Sequence, residues 1–122
     1  MRKFISLAVV ALLASSMSAQ TIANMKDLNA EKKSAAINLK LTGTLTTTEN
    51  SDFRQLRDLC WQLRNLDLSE ATCPVLPKNA FHSRHHLQHI ILPNQLQEIG
   101  TQAFFACDNL QEVVIPKSVT KV

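Results

Sequence analysis

The 122-residue chain contains very little glycine, and this scarcity excludes several kinds of catalytic and nucleotide-binding site. Its two glycines are Gly43 and Gly100, so it has neither a glycine-rich phosphate-binding loop nor a Gly-x-Ser-x-Gly nucleophile motif. It also lacks a Cys-x-x-Cys pair, which argues against a zinc knuckle or a thioredoxin-like redox site. The sequence therefore predicts no enzyme and no cofactor.

Long apolar runs are absent after the first residues of the chain. Arg2 and Lys3 precede a nearly unbroken apolar run from Phe4 to Ala14, and small residues follow. Positive, apolar and small segments in this order are typical of a secretory signal peptide, and the run is too short to span a bilayer. We predict that residues 1–19 are a signal peptide, cleaved after Ser18 or after Ala19, and that the protein is secreted.

The chain also lacks a marked excess of charge. The formal net charge is +3, and loss of Arg2 and Lys3 with the leader lowers it to +1, with 11 basic against 10 acidic side chains. Proteins that bind nucleic acids or anionic membranes usually carry a clear positive excess. The composition therefore predicts neither of these as a partner.

An internal repeat is the main positive signal in the remaining part of the chain. The segment Leu87-Gln-His-Ile90-Ile-Leu92-Pro93 returns further along the chain as Leu110-Gln-Glu-Val113-Val-Ile115-Pro116, so the offset from Leu87 to Leu110 is 23. A looser copy, Leu63-Arg-Asn-Leu66-Asp-Leu68, precedes Leu87 at an offset of 24. One such unit cannot bury its own apolar face, so the repeat predicts a solenoid of stacked coils.

Each copy of the repeat predicts a short strand followed by a turn. Alternate side chains of Leu-x-x-Leu-x-Leu lie on one face of a strand, and the proline that follows has no N–H and ends the strand. Stacked coils would align these strands about 4.8 Å apart in a parallel sheet. We predict an α/β solenoid with a short parallel sheet and about two and a half coils over residues 63–122, the last of them incomplete.

The residues of the repeat resemble a known family. The pattern Leu87-x-x-Ile90-x-Leu92-Pro93, then Leu96-x-x-Ile99-Gly100-x-x-Ala103-Phe104-x-x-Cys107-x-x-Leu110, resembles the BspA-type leucine-rich repeat of bacterial surface proteins. One position departs from the pattern, because Arg84 stands where the next coil has Cys107. The resemblance implies a bacterial envelope, cell-surface or extracellular setting and an adhesion-like binding role.

Residues 20–62 are predicted to form a helical amino-terminal cap. The segment Leu39-Lys-Leu41-Thr-Gly43 loosely resembles the cap that precedes such repeats. Residues 30–36 favour a short helix, the following residues alternate as a strand, and Gly43 to Asn50 is a Thr-rich loop. A second helix, capped by Ser51 or Asp52, would cover the exposed edge of the first coil.

No carboxy-terminal cap follows the last predicted coil. Val122 occupies the position that Ile99 holds one coil earlier, so the sequence stops within a repeat. Two interpretations stay open. The chain is either a truncated structural fragment of a longer array, without activity of its own, or a module whose open edge strand pairs with another chain.

Four histidines lie close together, but the repeat register does not favour a metal site. His82, His85, His86 and His89 contain two pairs with the i,i+4 spacing of a helical metal site. The segment is too short for two helical turns before the strand at Leu87, so we predict no metal binding. Two cross-coil pairs are expected instead, and they would make the surface mildly pH-responsive. These pairs are His85 with Asp108 and His89 with Glu112.

The three cysteines all fall on predicted core positions, where a thiol acts as a small apolar filler. Cys60 and Cys107 lie two coils apart, or roughly 10 Å, which exceeds the reach of a disulfide. A disulfide between Cys60 and Cys73 stays open as an alternative.

The outward face of the sheet is the candidate binding surface. Asp67, Ile91 and Val114 mark the centres of successive strands, and their neighbours two residues earlier are polar. Ile91 and Val114 would form an exposed apolar stripe with polar edges, as partner-binding surfaces do. We predict that this face binds an extracellular or envelope protein, or a glycan, through Asp67, His89, Ile91, Glu112 and Val114.

Overall fold

The computed structural model describes residues 20–47 and 52–122. The predicted signal peptide, the end of the Thr-rich loop and the candidate cap residue Ser51 lie outside these ranges. The elements in chain order are β1 (Thr21–Ala23), a 3-10 helix (Met25–Asp27), α1 (Ala30–Ala35), β2 (Asn38–Thr44), α2 (Asp52–Asp58), β3 (Asn65–Thr72), β4 (Val75–Leu76), β5 (His89–Ile91), β6 (Glu98–Ile99) and β7 (Glu112–Val114).

The strands form two parallel sheets that run along the stack of coils. The main sheet has five strands in the order β1-β2-β3-β5-β7, and β4 pairs with β6 in a second, two-stranded sheet. Leu66 lies in register with Ile90, and Ile90 lies in register with Val113, so the sequence repeat becomes a ladder of equivalent residues. The predicted α/β solenoid with a parallel sheet is confirmed.

The predicted helical cap over the first coil is not confirmed. β2 pairs with β3 through Leu39 and Leu66, and β1 pairs with β2 through Thr21 and Leu39. The segment before residue 63 therefore adds two strands to the same sheet. The physical reason is that Leu39 and Leu41 are fully buried, like Leu66 in the next strand, so this strand joins the ladder. α1 and α2 do form close to the expected positions, and they lie between strands of the solenoid.

The core is a continuous column of apolar side chains contributed by successive coils. On the turn side, the Phe81 ring lies 5.9 Å from Phe53 in an edge contact and 5.8 Å from Phe104 in a stacked contact. Burial of one such side chain contributes about 1.5–3 kcal/mol of stability. The largest fully buried side chains are Phe53, Phe81, Leu39, Leu41, Leu56, Leu66, Leu68, Leu76, Leu87, Ile90, Leu92 and Leu96.

The turn that returns the chain to the next strand also repeats at the level of the backbone. Positive φ angles occur at Asn79 and Ser83, and again one coil later at the equivalent residues Gln102 and Ala106. The amide of Ser83 donates a hydrogen bond to the carbonyl of Phe105 at 2.8 Å, which joins the two turns. The segment around the histidines is a series of turns and not a helix, as the short spacing before Leu87 predicts.

Two coils approach each other closely at Gly100. Its amide donates a hydrogen bond to the carbonyl of Leu76 at 2.7 Å. A Cβ atom at this position would lie 2.7 Å from the same carbonyl oxygen and 2.7 Å from the amide nitrogen of Lys78. Both of these atoms belong to the backbone, so they cannot move aside without separating the coils.

We expect Gly100→Ala to destabilise the protein by about 1–3 kcal/mol, because the added methyl group forces two backbones apart. Urea denaturation followed by circular dichroism measures the change in free energy of unfolding. The exposed neighbour Thr101 supplies the control, since Thr101→Ala should change stability by less than about 0.5 kcal/mol. Equal stability of the two variants would contradict the tight packing at Gly100.

Candidate functional site

The outward face of the main sheet, here called the outer face, consists of two columns of side chains. The central column runs through five strands and consists of Ile22, Lys40, Asp67, Ile91 and Val114. The adjacent column runs through four strands and consists of Asn38, Asn65, His89 and Glu112. The structure thus brings all five predicted binding residues together, in the register that the sequence repeat predicts.

The predicted exposure of Val114 is wrong. Val114 retains only 7% of its accessible surface, and Ile91 is half-buried. Burial on this face does not follow strand order, since Ile91 has an in-register neighbour on each side and still keeps more exposed surface than Val114 on the last strand. The most exposed apolar side chain of this column is that of Ile22, which keeps 64% of its accessible surface. Ile22 lies in β1, a strand that the sequence pattern did not predict.

Charged groups lie on the amino-terminal half of the outer face. Asp67 is buried, and its Oδ1 accepts a hydrogen bond from the amide of Ser69 at 2.9 Å. Lys40 pairs with the carboxylate of Glu70. The hydrogen bond with Glu70, together with the attraction of Asp67, raises the pKa of Lys40 despite the cost of its desolvation. This part of the face therefore carries an ionised lysine between two carboxylates.

The second column is a ladder of polar side chains whose hydrogen bonds are incomplete. The Asn65 amide Nδ2 donates to Oδ1 of Asn38, and both of these side chains are buried. Within the described residues, the buried atoms Oδ1 of Asn65 and Nδ1 of His89 have no hydrogen-bond partner. A buried polar atom left unpaired costs about 1–3 kcal/mol, so Oδ1 of Asn65 is a local cost to the stability of this column.

Both predicted histidine pairs form between adjacent coils. Nδ1 of His85 lies 2.9 Å from Oδ2 of Asp108, and Nδ1 of His89 lies 3.8 Å from Oε1 of Glu112. Residues 20–47 and 52–122 contain no group of three or more His, Cys, Asp or Glu side chains arranged to hold a metal ion. The pH response of this surface stays a prediction.

The other two histidines contact aromatic side chains that the sequence reasoning missed. The His82 ring stacks against Phe105 at a centroid distance of 5.1 Å, and the His86 ring lies 6.5 Å from Trp61 in an edge contact. Trp61 and Phe105 are both exposed. A signal for Trp61 was available, because a large apolar residue stands there at a position that is polar in the next two coils.

The three cysteines are free thiols in the core or at its margin. Cys60 and Cys73 are buried and Cys107 is half-buried, so the Cys60–Cys73 disulfide left open by the sequence does not form. Sγ of Cys73 donates to the carbonyl of Val75 at 2.9 Å, and Sγ of Cys107 donates to that of Phe81 at 3.0 Å. Burial raises the pKa of all three thiols, that of Cys60 from 9.0 to about 11. Protonated and buried thiols of this kind are structural.

We expect the free energy of unfolding to fall as the pH rises from about 9 to about 11. In this window the unfolded chain has released the Cys60 proton and the folded chain still holds it, so rising pH favours unfolding. One group contributes up to about 1.4 kcal/mol per pH unit. Urea titrations across this pH range should give a shallower dependence for Cys60→Ala than for the wild type. Identical pH slopes would contradict the protonated, buried state of Cys60.

We expect the His85–Asp108 pair to contribute only about 0.2–1 kcal/mol, because both side chains are exposed and water screens their interaction. A double-mutant cycle of His85→Ala and Asp108→Ala, measured by urea denaturation, isolates the coupling between them. A coupling energy well above this range would mean that the pair has a larger structural role than its exposure indicates.

No helix in the described ranges is long and apolar enough to cross a membrane. A search of curated proteins finds no match to the chain. A family model described as the BspA type leucine rich repeat region matches residues 20–122 in six copies. The match includes the strands before residue 63, in agreement with their place in the main sheet. The chain therefore belongs to the BspA-type leucine-rich-repeat family.

Proposed function

We propose that the protein is a secreted or cell-surface recognition module that binds a partner protein through its outer face. The observation that carries the proposal is the polar column of the outer face, in which Asn38 and Asn65 are buried and His89 and Glu112 are half-buried next to Ile91 and Val114. Polar side chains beside an apolar residue offer a partner hydrogen bonds together with a hydrophobic contact, as the core and rim of protein interfaces do.

The dimensions of the outer face favour a protein over a small ligand. Five adjacent strands spaced by about 4.8 Å extend across roughly 19 Å. Ile91 lies at the centre as a half-buried apolar contact, with the polar ladder on one side. Leucine-rich-repeat domains generally mediate protein interactions, and solenoids present extended surfaces of this kind for recognition. A glycan is the second class of ligand that such a polar surface suits.

The proposed location rests on the leader and on the family. Residues 1–19 have the three segments of a secretory signal peptide. The family resemblance supports a bacterial surface setting and an adhesion-like role rather than catalysis. Self-association is a further proposal, because β7 is the last strand in the order of the main sheet and an edge strand can pair with another chain.

We expect Ile91→Arg to weaken partner binding by about tenfold or more, because it places a charge at the centre of the contact. Biolayer interferometry with the immobilised protein and a panel of purified extracellular-matrix proteins and glycans measures the affinity. Gln95→Arg is the matched control, since Gln95 is exposed and lies in a turn outside both columns of the outer face. Circular dichroism checks that both variants fold.

If Ile91→Arg binds a partner of the wild type with unchanged affinity, the partner is recognised by another surface. Equal loss of affinity in Ile91→Arg and Gln95→Arg would indicate a general effect of positive charge and not a contact at the outer face.

A further inference from the structure

The first strand of the main sheet begins directly after the predicted leader. β1 starts at Thr21, which lies in register with Leu39 of β2. The match to the family begins one residue earlier, at Gln20. The predicted signal peptide ends at Ser18 or at Ala19. The repeats therefore follow the leader without a linker between them.

The boundary between the leader and the repeats favours cleavage after Ala19. This cut places an alanine directly before the cleaved bond, as in the A-x-A pattern of signal peptidase sites. It also keeps every residue of the family match in the mature chain. Cleavage after Ser18 would leave Ala19 as an additional residue outside the match. The cut after Ala19 makes Gln20 the first residue of the mature chain.

An amino-terminal glutamine carries a nucleophile and an electrophile that react with each other. Its α-amino nitrogen attacks the side-chain carbonyl carbon, Cδ, and forms a five-membered lactam. The bond between Cδ and Nε2 breaks, and ammonia leaves with one proton from the amino group, so no oxidant or other co-reactant is consumed. Both groups belong to one residue, so their effective concentration is high. The reacting form is the neutral amine, which is present because α-amino groups titrate close to neutral pH.

The structure leaves the side chain of Gln20 available for this reaction. Gln20 is half-buried, and its side-chain amide makes no hydrogen bond to another residue of the described part of the chain. The pairing of β1 with β2 starts at the next residue, Thr21, so a ring at Gln20 does not interrupt the sheet. Cyclisation replaces a charged ammonium group by a neutral amide at this position.

We propose that the mature protein begins with Gln20 in its cyclised form, pyroglutamate. The proposal rests on the proposed secretion, because removal of the leader creates the amine that reacts. Aminopeptidases require a free α-amino group, so the lactam blocks them. The segment that it protects is β1, the edge strand of the main sheet beside β2. Loss of β1 would uncover Leu39 and Leu41 of β2, which are fully buried.

Mass spectrometry of the exported protein tests the proposal. The 122-residue chain is produced in a bacterial host that exports it, and the exported protein is cleaved with trypsin. The first tryptic peptide then runs from Gln20 to Lys26. We expect most of it to be lighter than the linear peptide by the mass of one ammonia molecule. An isotope-labelled linear peptide of residues 20–26, added before digestion, should stay linear and so excludes cyclisation during handling.

Gln20→Asn is the matched variant, because it keeps the amide and shortens the side chain by one methylene. Its lactam would be a strained four-membered ring, so its α-amine stays free. We expect an added aminopeptidase to shorten this variant through β1 under conditions that leave the wild type intact, as measured by intact mass. Gln95→Asn makes the same change at an exposed turn and should resist like the wild type. Circular dichroism checks that both variants fold.

Three outcomes would overturn the proposal and leave the proposed secretion in place. They are a first peptide with linear Gln20, a first peptide that begins at Ala19, and equal resistance of Gln20→Asn and the wild type to the aminopeptidase. An exported protein that keeps residues 1–19 would contradict the signal peptide itself, so failure of the leader and failure of the cyclisation are distinguishable.

Discussion

The in-register pairing of parallel strands between successive coils is the constraint on which the rest of the structure depends. A single coil has too few residues to bury its own leucines, so each coil is stable only where the next one covers it. The ladder from Leu39 through Leu66 and Ile90 to Val113 meets that requirement on the strand side. On the opposite side of the solenoid, hydrogen bonds between turns hold successive coils together, such as the bond from the Ser83 amide to the Phe105 carbonyl.

This constraint separates the positions that must be filled by apolar side chains from those that are free to take on other roles. Inward positions are occupied by Leu, Ile, Phe and Cys, and their burial explains why the thiols are protonated and structural. Outward positions have no such requirement. The polar column at Asn65 and His89 lies at such positions on the strand side, and the exposed Trp61 lies at one on the turn side.

The sequence predicted the structure correctly where the repeat is regular. The constant offset between copies predicted the cross-strand pairing of Ile91 with Val114 and the contact between His85 and Asp108. Before residue 63 the sequence predicted the strand at Leu39 and Leu41, but it placed that strand in a cap outside the repeats, because this segment lacks the full Leu-x-x-Leu-x-Leu pattern. The structure places that segment in the main sheet, because two leucines on one face are enough to join an existing apolar column.

The sequence by itself determined the period of the repeat and the inward and outward sides of the strands in its regular copies, because these depend on the fixed geometry of a strand. Only the tertiary structure decided how much of the outward side is accessible. Val114 is buried, Ile22 is exposed, and Oδ1 of Asn65 lies buried without a partner in the described part of the chain. Burial depends on what lies beside and above a residue in space, and a repeat pattern along one chain does not contain that information.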